Sequence, residues 1–136
     1  MKVKVLNGER VIFWGNVDSF NTFREILLNL ENITKIIGFE KLISNELKNL
    51  EFDRLQKVLD QYGYKDLGDV QYWHSQDPND PEPKGLLNWY SAYDDAIWNE
   101  IDSLNEKSFE ELQNYDPVAV EQKIFEETKN KLPKEV

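Results

Sequence analysis

Two apolar periods run along this chain, and the point where one gives way to the other divides it. Residues 1–16, "MKVKVLNGERVIFWGN", form two short apolar-rich runs on either side of Asn7-Gly8, a dipeptide that readily takes the positive φ angles of a tight turn. A β-hairpin is predicted there. From Phe20 the spacing becomes helical: Phe20, Phe23, Leu27 and Leu30 follow Asp18, the predicted N-cap. "NITKIIG" predicts a short helical piece stopped by Gly38. Beyond it Phe39, Leu42, Ile43, Leu47 and Leu50 repeat at i, i+3, i+4, and a further helix carries Phe52, Leu55 and Leu59 on one side.

Glycines and prolines punctuate the second half. Gly63 and Gly68 interrupt the helical pattern, and Val70 to Trp73 are compatible with a short strand. Pro78, Pro81 and Pro83 then exclude a helix interior, so "VQYWHSQDPNDPEPKG" predicts a loop of about a dozen residues, longer than most connections in a compact domain. Helical spacing returns from Leu86 to Leu104. Ser108 with Glu111 predicts a capping box, and Asp116-Pro117 opens a last helix that Pro133 stops. The predicted fold is α+β and predominantly helical: an N-terminal β-hairpin packed with about five helices and one long Pro-rich loop, in a single compact domain over 1–136.

Charge changes the picture more than composition does. The chain has no cysteine, which removes disulfide and thiolate chemistry, and its net charge of −10 argues against generic binding to a phosphate backbone. Residues 1–68 hold ten Lys+Arg and ten Asp+Glu, whereas residues 69–136 hold six and sixteen. All of the imbalance falls in the second half of the sequence. The N-terminus lacks the apolar run and cleavage site of a signal peptide, and no apolar run approaches membrane-spanning length. A cytoplasmic protein is expected, with no membrane partner, and the Asn, Lys, Ile and Glu usage suggests a bacterial or phage source.

Within the acidic half, "WYSAYDDAIWNEID" (89–102) sets two tryptophans and two tyrosines among four acids without one lysine or arginine. At 100° per residue, Leu86, Tyr90, Tyr93, Ile97, Ile101 and Leu104 fall within about 40° of one line and predict the buried stripe. Trp89 and Trp98 fall on its two flanks. Asp94, Asp95 and Asp102 are the i−4, i−3 and i+4 neighbours of Trp98, so an aromatic face edged by carboxylates is predicted. These acids have three possible counterparts: Lys35, Lys41 or Lys48 from the first half, solvent alone, or a basic partner. Asp77, Asp80 and Glu82 extend the acidic surface through the Pro-rich loop, which also holds Trp73 at its start. With Asn79 they are oxygen ligands that calcium accepts, but three prolines interrupt the spacing of the common calcium loop.

Catalytic and cofactor motifs are missing. One histidine, His74, and no cysteine support neither the usual nucleophile–base pair nor a zinc ligand set, and no stretch has a Gly-rich phosphate-binding pattern. A non-enzyme is expected, with no catalytic residue, metal or cofactor. "VLNGERV" followed by an Asp-capped helix resembles the start of barstar-type ribonuclease inhibitors over about twenty residues, and the resemblance assigns no residue a role.

The functional expectation is a small acidic inhibitor of the immunity-protein or antitoxin type that occludes a basic protein, such as a nuclease toxin or a nucleic-acid-binding defence protein, without touching nucleic acid itself. Its expected contact residues are Trp98, Asp94, Asp95, Asp102, Trp89, Asp77, Asp80, Glu82 and Trp73. A phage-type DNA mimic, a structural subunit and a carboxylate-based enzyme are the alternatives.

Overall fold

The computed structural model describes residues 1–134. Its elements in chain order are β1 (Lys2–Asn7), β2 (Arg10–Asn16), α1 (Phe20–Leu28), β3 (Lys35–Ile37), α2 (Phe39–Tyr62), α3 (Leu67–Gln76), α4 (Pro81–Ser103), α5 (Phe109–Gln113) and α6 (Pro117–Thr128). The fold is α+β and predominantly helical, with the hairpin where the sequence places it. Contacts group the residues into a sheet unit, Met1–Leu47 with Glu100–Pro117, and a helical unit, Lys48–Asn99 with 118–134.

In the sheet unit β1 is central, flanked by antiparallel β2 and β3. The hairpin turn is Gly8-Glu9, one residue later than the sequence suggests, and only Gly8 of the two has a positive φ, of 60°. Glycine serves the first position of a type II′ turn in this way. Val3, Val5 and Ile36 face inward on Phe20, Phe23, Phe39, Leu42 and Ile43, all of them buried. Phe23 and Phe39 meet edge to face at 5.5 Å, and Phe20 stacks on Phe39 at 5.9 Å. The N-cap of α1 is Ser19, whose Oγ accepts from Thr22 N at 3.1 Å, not Asp18.

The helical piece expected at "NITKIIG" is the third strand instead. Ile33, Thr34, Ile36 and Ile37 are β-branched, and positive φ angles at Asn32 (59°) and Gly38 (90°) break the helical backbone at both ends. Thr34 Oγ1 accepts from Gly8 N and donates to Leu6 O, which locks the start of β3 to the hairpin.

In the helical unit α2 runs on without the interruption predicted after Leu50, because no glycine or proline stands between the two apolar stretches. It ends at a Schellman motif: Gly63 has φ 86°, its N–H donates to Asp60 O, and Tyr64 N donates to Leu59 O. Asp66 then caps α3 by accepting from Asp69 N at 2.8 Å, so Val70 to Trp73 are helical rather than a strand. The long Pro-rich loop shrinks to four residues, Asp77 to Asp80. Pro81 is the first residue of α4 and Pro83 lies in its first turn, where no intrahelical N–H donor is lost.

The core of this unit is aromatic and ionic together. Trp89 stacks on Tyr93 at 5.1 Å, and the Phe125 ring of α6 stands edge-on to both. Glu121, buried in α6, accepts from Arg54 Nε (3.0 Å) and Nη2 (2.8 Å) and from Tyr93 Oη (2.7 Å). Arg54 also lies over Phe125 at 4.2 Å. The Glu121 hydrogen bonds raise the Arg54 pKa despite its burial, and burial followed by Glu121 raises that of Tyr93.

Two outcomes are expected from these arrangements. Arg54→Ala strands a buried carboxylate and lowers unfolding free energy by about 3–5 kcal/mol in urea titrations. Gly38→Ala forces φ and sets a Cβ 2.6 Å from Lys2 O, a backbone atom that has nowhere to go; a loss of about 1–3 kcal/mol follows.

Candidate functional site

The acidic aromatic stretch is helical throughout, and its buried stripe is rotated from the predicted one. Leu86, Trp89, Tyr93, Ile97 and Leu104 are buried, whereas Tyr90 and Ile101 are half-buried. Trp89 is therefore a core residue, fully covered and stacked on Tyr93, and its expected role as a partner contact is corrected. The rotation follows from Phe125, which fills the side that the helical wheel leaves open.

Trp98 does remain at the surface, 47% exposed, and Asp94 lies beside it. Both are joined by Lys48 of α2. Its Nζ is 3.2 Å from Asp94 Oδ1, 2.9 Å from Glu51 Oε1 and 4.5 Å from the centre of the Trp98 ring. Tyr90 Oη donates to the same Glu51 Oε1 at 3.1 Å. One ammonium group thus sits in a cage of two carboxylates and an indole face. Of the three lysines the sequence offers as counterions to Asp94, Asp95 and Asp102, Lys48 meets one of these acids, Asp94.

Glu51 is the surprise of this cluster, since it is only 3% exposed and its Oε2 has no donor. Asp94 holds the same Lys48 ammonium and so sets a second carboxylate close to it. Burial, then Asp94, raises the Glu51 pKa above the ordinary 4.5, with Lys48 opposing. Burial lowers that of Lys48, but Glu51 and Asp94 outweigh it and the net shift is upward.

The other expected contacts divide by role. Asp95 is exposed, and Asp102, also exposed, belongs to the sheet unit. Asp77 Oδ1 accepts from Asn79 N, Asp80 Oδ1 accepts from Glu82 N at the start of α4, and Glu82 Oε1 accepts from Tyr64 Oη. Burial and Glu82 push the Tyr64 pKa up to about 12. These oxygens serve turns and caps, and among the described residues no three His, Cys, Asp or Glu side chains gather as a metal ion needs. Trp73 is 52% exposed on α3, with Tyr72 edge-on at 5.6 Å and itself 56% exposed.

Tyr72 and Phe52 are surface aromatics of the helical unit that sequence reasoning misses. Phe52 is 62% exposed although its spacing to Leu55 and Leu59 assigns it to the core. Its i−4 relation to Lys48 was the available signal, since it sets Phe52 one turn from the cage.

The linear charge asymmetry does not survive folding. The sheet unit has seven Lys+Arg and twelve Asp+Glu, and the helical unit has nine and fourteen when counted to residue 136, so each carries −5. Residues 100–117 bring six acids and one lysine to the sheet unit. No helix among the described residues is long and apolar enough to cross a membrane. The chain matches no protein-family model, no curated protein and no solved structure.

The cage has a pH signature. A carboxyl with a raised pKa stabilises the fold fully below its unfolded value and loses that contribution as pH rises through the folded value; the Lys48 contribution persists across this range. Between one pH within the ordinary glutamate range and one above it, wild-type stability is therefore expected to fall by more than that of Glu51→Gln, which keeps an acceptor for Tyr90 without the charge. Urea midpoints at the two pH values measure this. Equal slopes would show that Glu51 is not the group responsible.

Proposed function

We propose that this chain is a small acidic binding protein that occludes a basic protein partner, in the manner of an immunity protein or antitoxin acting on a nuclease toxin. The observation that carries the reading is aromatic exposure. The helical unit leaves Phe52, Tyr72, Trp73 and Trp98 between 47% and 62% exposed while carrying a net charge of −5. Large aromatics are costly to leave in water and are the side chains most enriched at binding hot spots. The net negative charge of the same unit speeds encounter with a basic surface and disfavours acidic competitors. The mechanism is occlusion: charge steers the partner in, and desolvation of the rings holds it there.

The DNA-mimic alternative asks for carboxylates spread along a face like phosphates. Many acids of the helical unit have structural work instead, with Asp66 and Asp80 in caps, Glu51 and Asp94 around Lys48, and Glu121 on Arg54. Fewer are left to imitate a backbone, which supports the aromatic-anchored reading over the mimic.

Affinity capture from lysate of the source organism, followed by titration of the retained protein, tests this. A basic protein bound stoichiometrically is expected, with Trp98→Ala or Trp73→Ala weakening it by about 2 kcal/mol, roughly thirtyfold. Asp95→Lys is expected to slow association, most at low salt, with folding unchanged because the side chain is exposed. A partner whose affinity ignores both tryptophans would overturn the anchoring role.

A further inference from the structure

The chain's most exposed tryptophan is not among its acids. Trp14, 64% exposed, stands on the outer face of the sheet, away from the buried Val3, Val5 and Ile36. Pairing across the strands sets out three rows on that face: Lys2 with Asn16; Trp14, Lys4 and Ile37; and Val11, Leu6 and Lys35. Each row holds one lysine. The three strands together carry Lys2, Lys4, Arg10 and Lys35 and no acid, in a chain whose net charge is −10. Among the described residues none of the three lysines is in an ion pair.

From this geometry we propose that the outer face of the β1–β3 sheet binds single-stranded nucleic acid, with Trp14 stacking a base and Lys2, Lys4 and Lys35 meeting phosphates. An extended strand of nucleic acid needs a flat platform on which a π-face alternates with cations, and this face supplies that arrangement. A protein partner would want a continuous apolar patch to desolvate, which the lysine in every row interrupts. The overall negative charge does not forbid binding, because at physiological salt charges more than about 8 Å away are largely screened. The proposal is independent of the aromatic surface of the helical unit.

Anisotropy of a dye-labelled oligothymidylate and an oligouridylate of about twenty nucleotides, titrated with the full chain, is the test. Binding is expected, falling steeply between about 50 and 200 mM salt, with quenching of tryptophan fluorescence. Trp14→Ala is expected to weaken it about tenfold or more and to remove most of the quenching, while Trp14→Phe restores much of the affinity. Lys4→Glu with Lys35→Glu is expected to abolish it, and unchanged circular dichroism checks that these exposed substitutions leave the fold intact. Absence of binding by the wild type at low salt would overturn the proposal, as would binding that survives the lysine reversals. Equal competition by polyglutamate would overturn it in favour of an acidic protein ligand.

Discussion

A buried carboxylate with three donors governs the helical unit. Glu121 is drawn from α6 into contact with Arg54 of α2 and Tyr93 of α4, so three helices converge on one side chain. Its removal from water is costly and is offset only because both oxygens are satisfied and the guanidinium is held bidentate. That geometry also fixes what lies around it. Arg54 covers one face of Phe125, whose edge directions then meet the Trp89 and Tyr93 rings, and the aromatic stack turns α4 so that Trp89 points inward and Trp98 outward. The surface available to a partner is thus a consequence of an ion pair in the core.

The sheet unit solves a different problem with backbone geometry. Its third strand is three residues long, too short to persist by its own hydrogen bonds. It is held by Thr34 at one end and by the close approach of Gly38 to Lys2 O at the other, with Ile36 as its inward anchor. Pairing one short strand on the free side of β1 completes an inner face broad enough for Phe20, Phe23 and Phe39. The outer face stays open, with its aromatic and its lysines unneeded for the core.

What the sequence discloses and what it hides follow from the range of each interaction. Local signals are legible: the hairpin, the Ser108–Glu111 capping box, both of whose hydrogen bonds form, and the proline that starts α6. Signals that depend on a single φ value are not. Nothing in "NITKIIG" announces that Asn32 is left-handed, and without that the isoleucines read equally well as helix. Prolines mislead for a related reason, since Pro81 and Pro83 prohibit a helix interior but not a first turn. Long-range contacts account for the remaining errors. Helical arithmetic sets Trp89 and Trp98 on equal flanks, and a long-range contact such as that of Phe125 with Trp89 is not visible to it. The same holds for the candidate site: an internal counterion for Asp94 was among the alternatives, but choosing Lys48 required the packing of α2 on α4.

Charge is where sequence and structure part most instructively. A total of −10 describes how the chain behaves at a distance, yet it says little about any one surface. Folding spends acids on caps, on Lys48 and on Arg54, and it divides the net charge evenly between the two units. At the same time it gathers four basic side chains on strands that contain no acid. A net charge averages over both kinds of surface, whereas a partner meets one at a time at separations comparable to the screening length. Which charges remain unpaired beside exposed rings is therefore the quantity that bears on recognition. By that measure the indoles of Trp98 and Trp14 stand in opposite environments, one capped by a lysine held between two carboxylates and the other set among lysines with no acid on their strands.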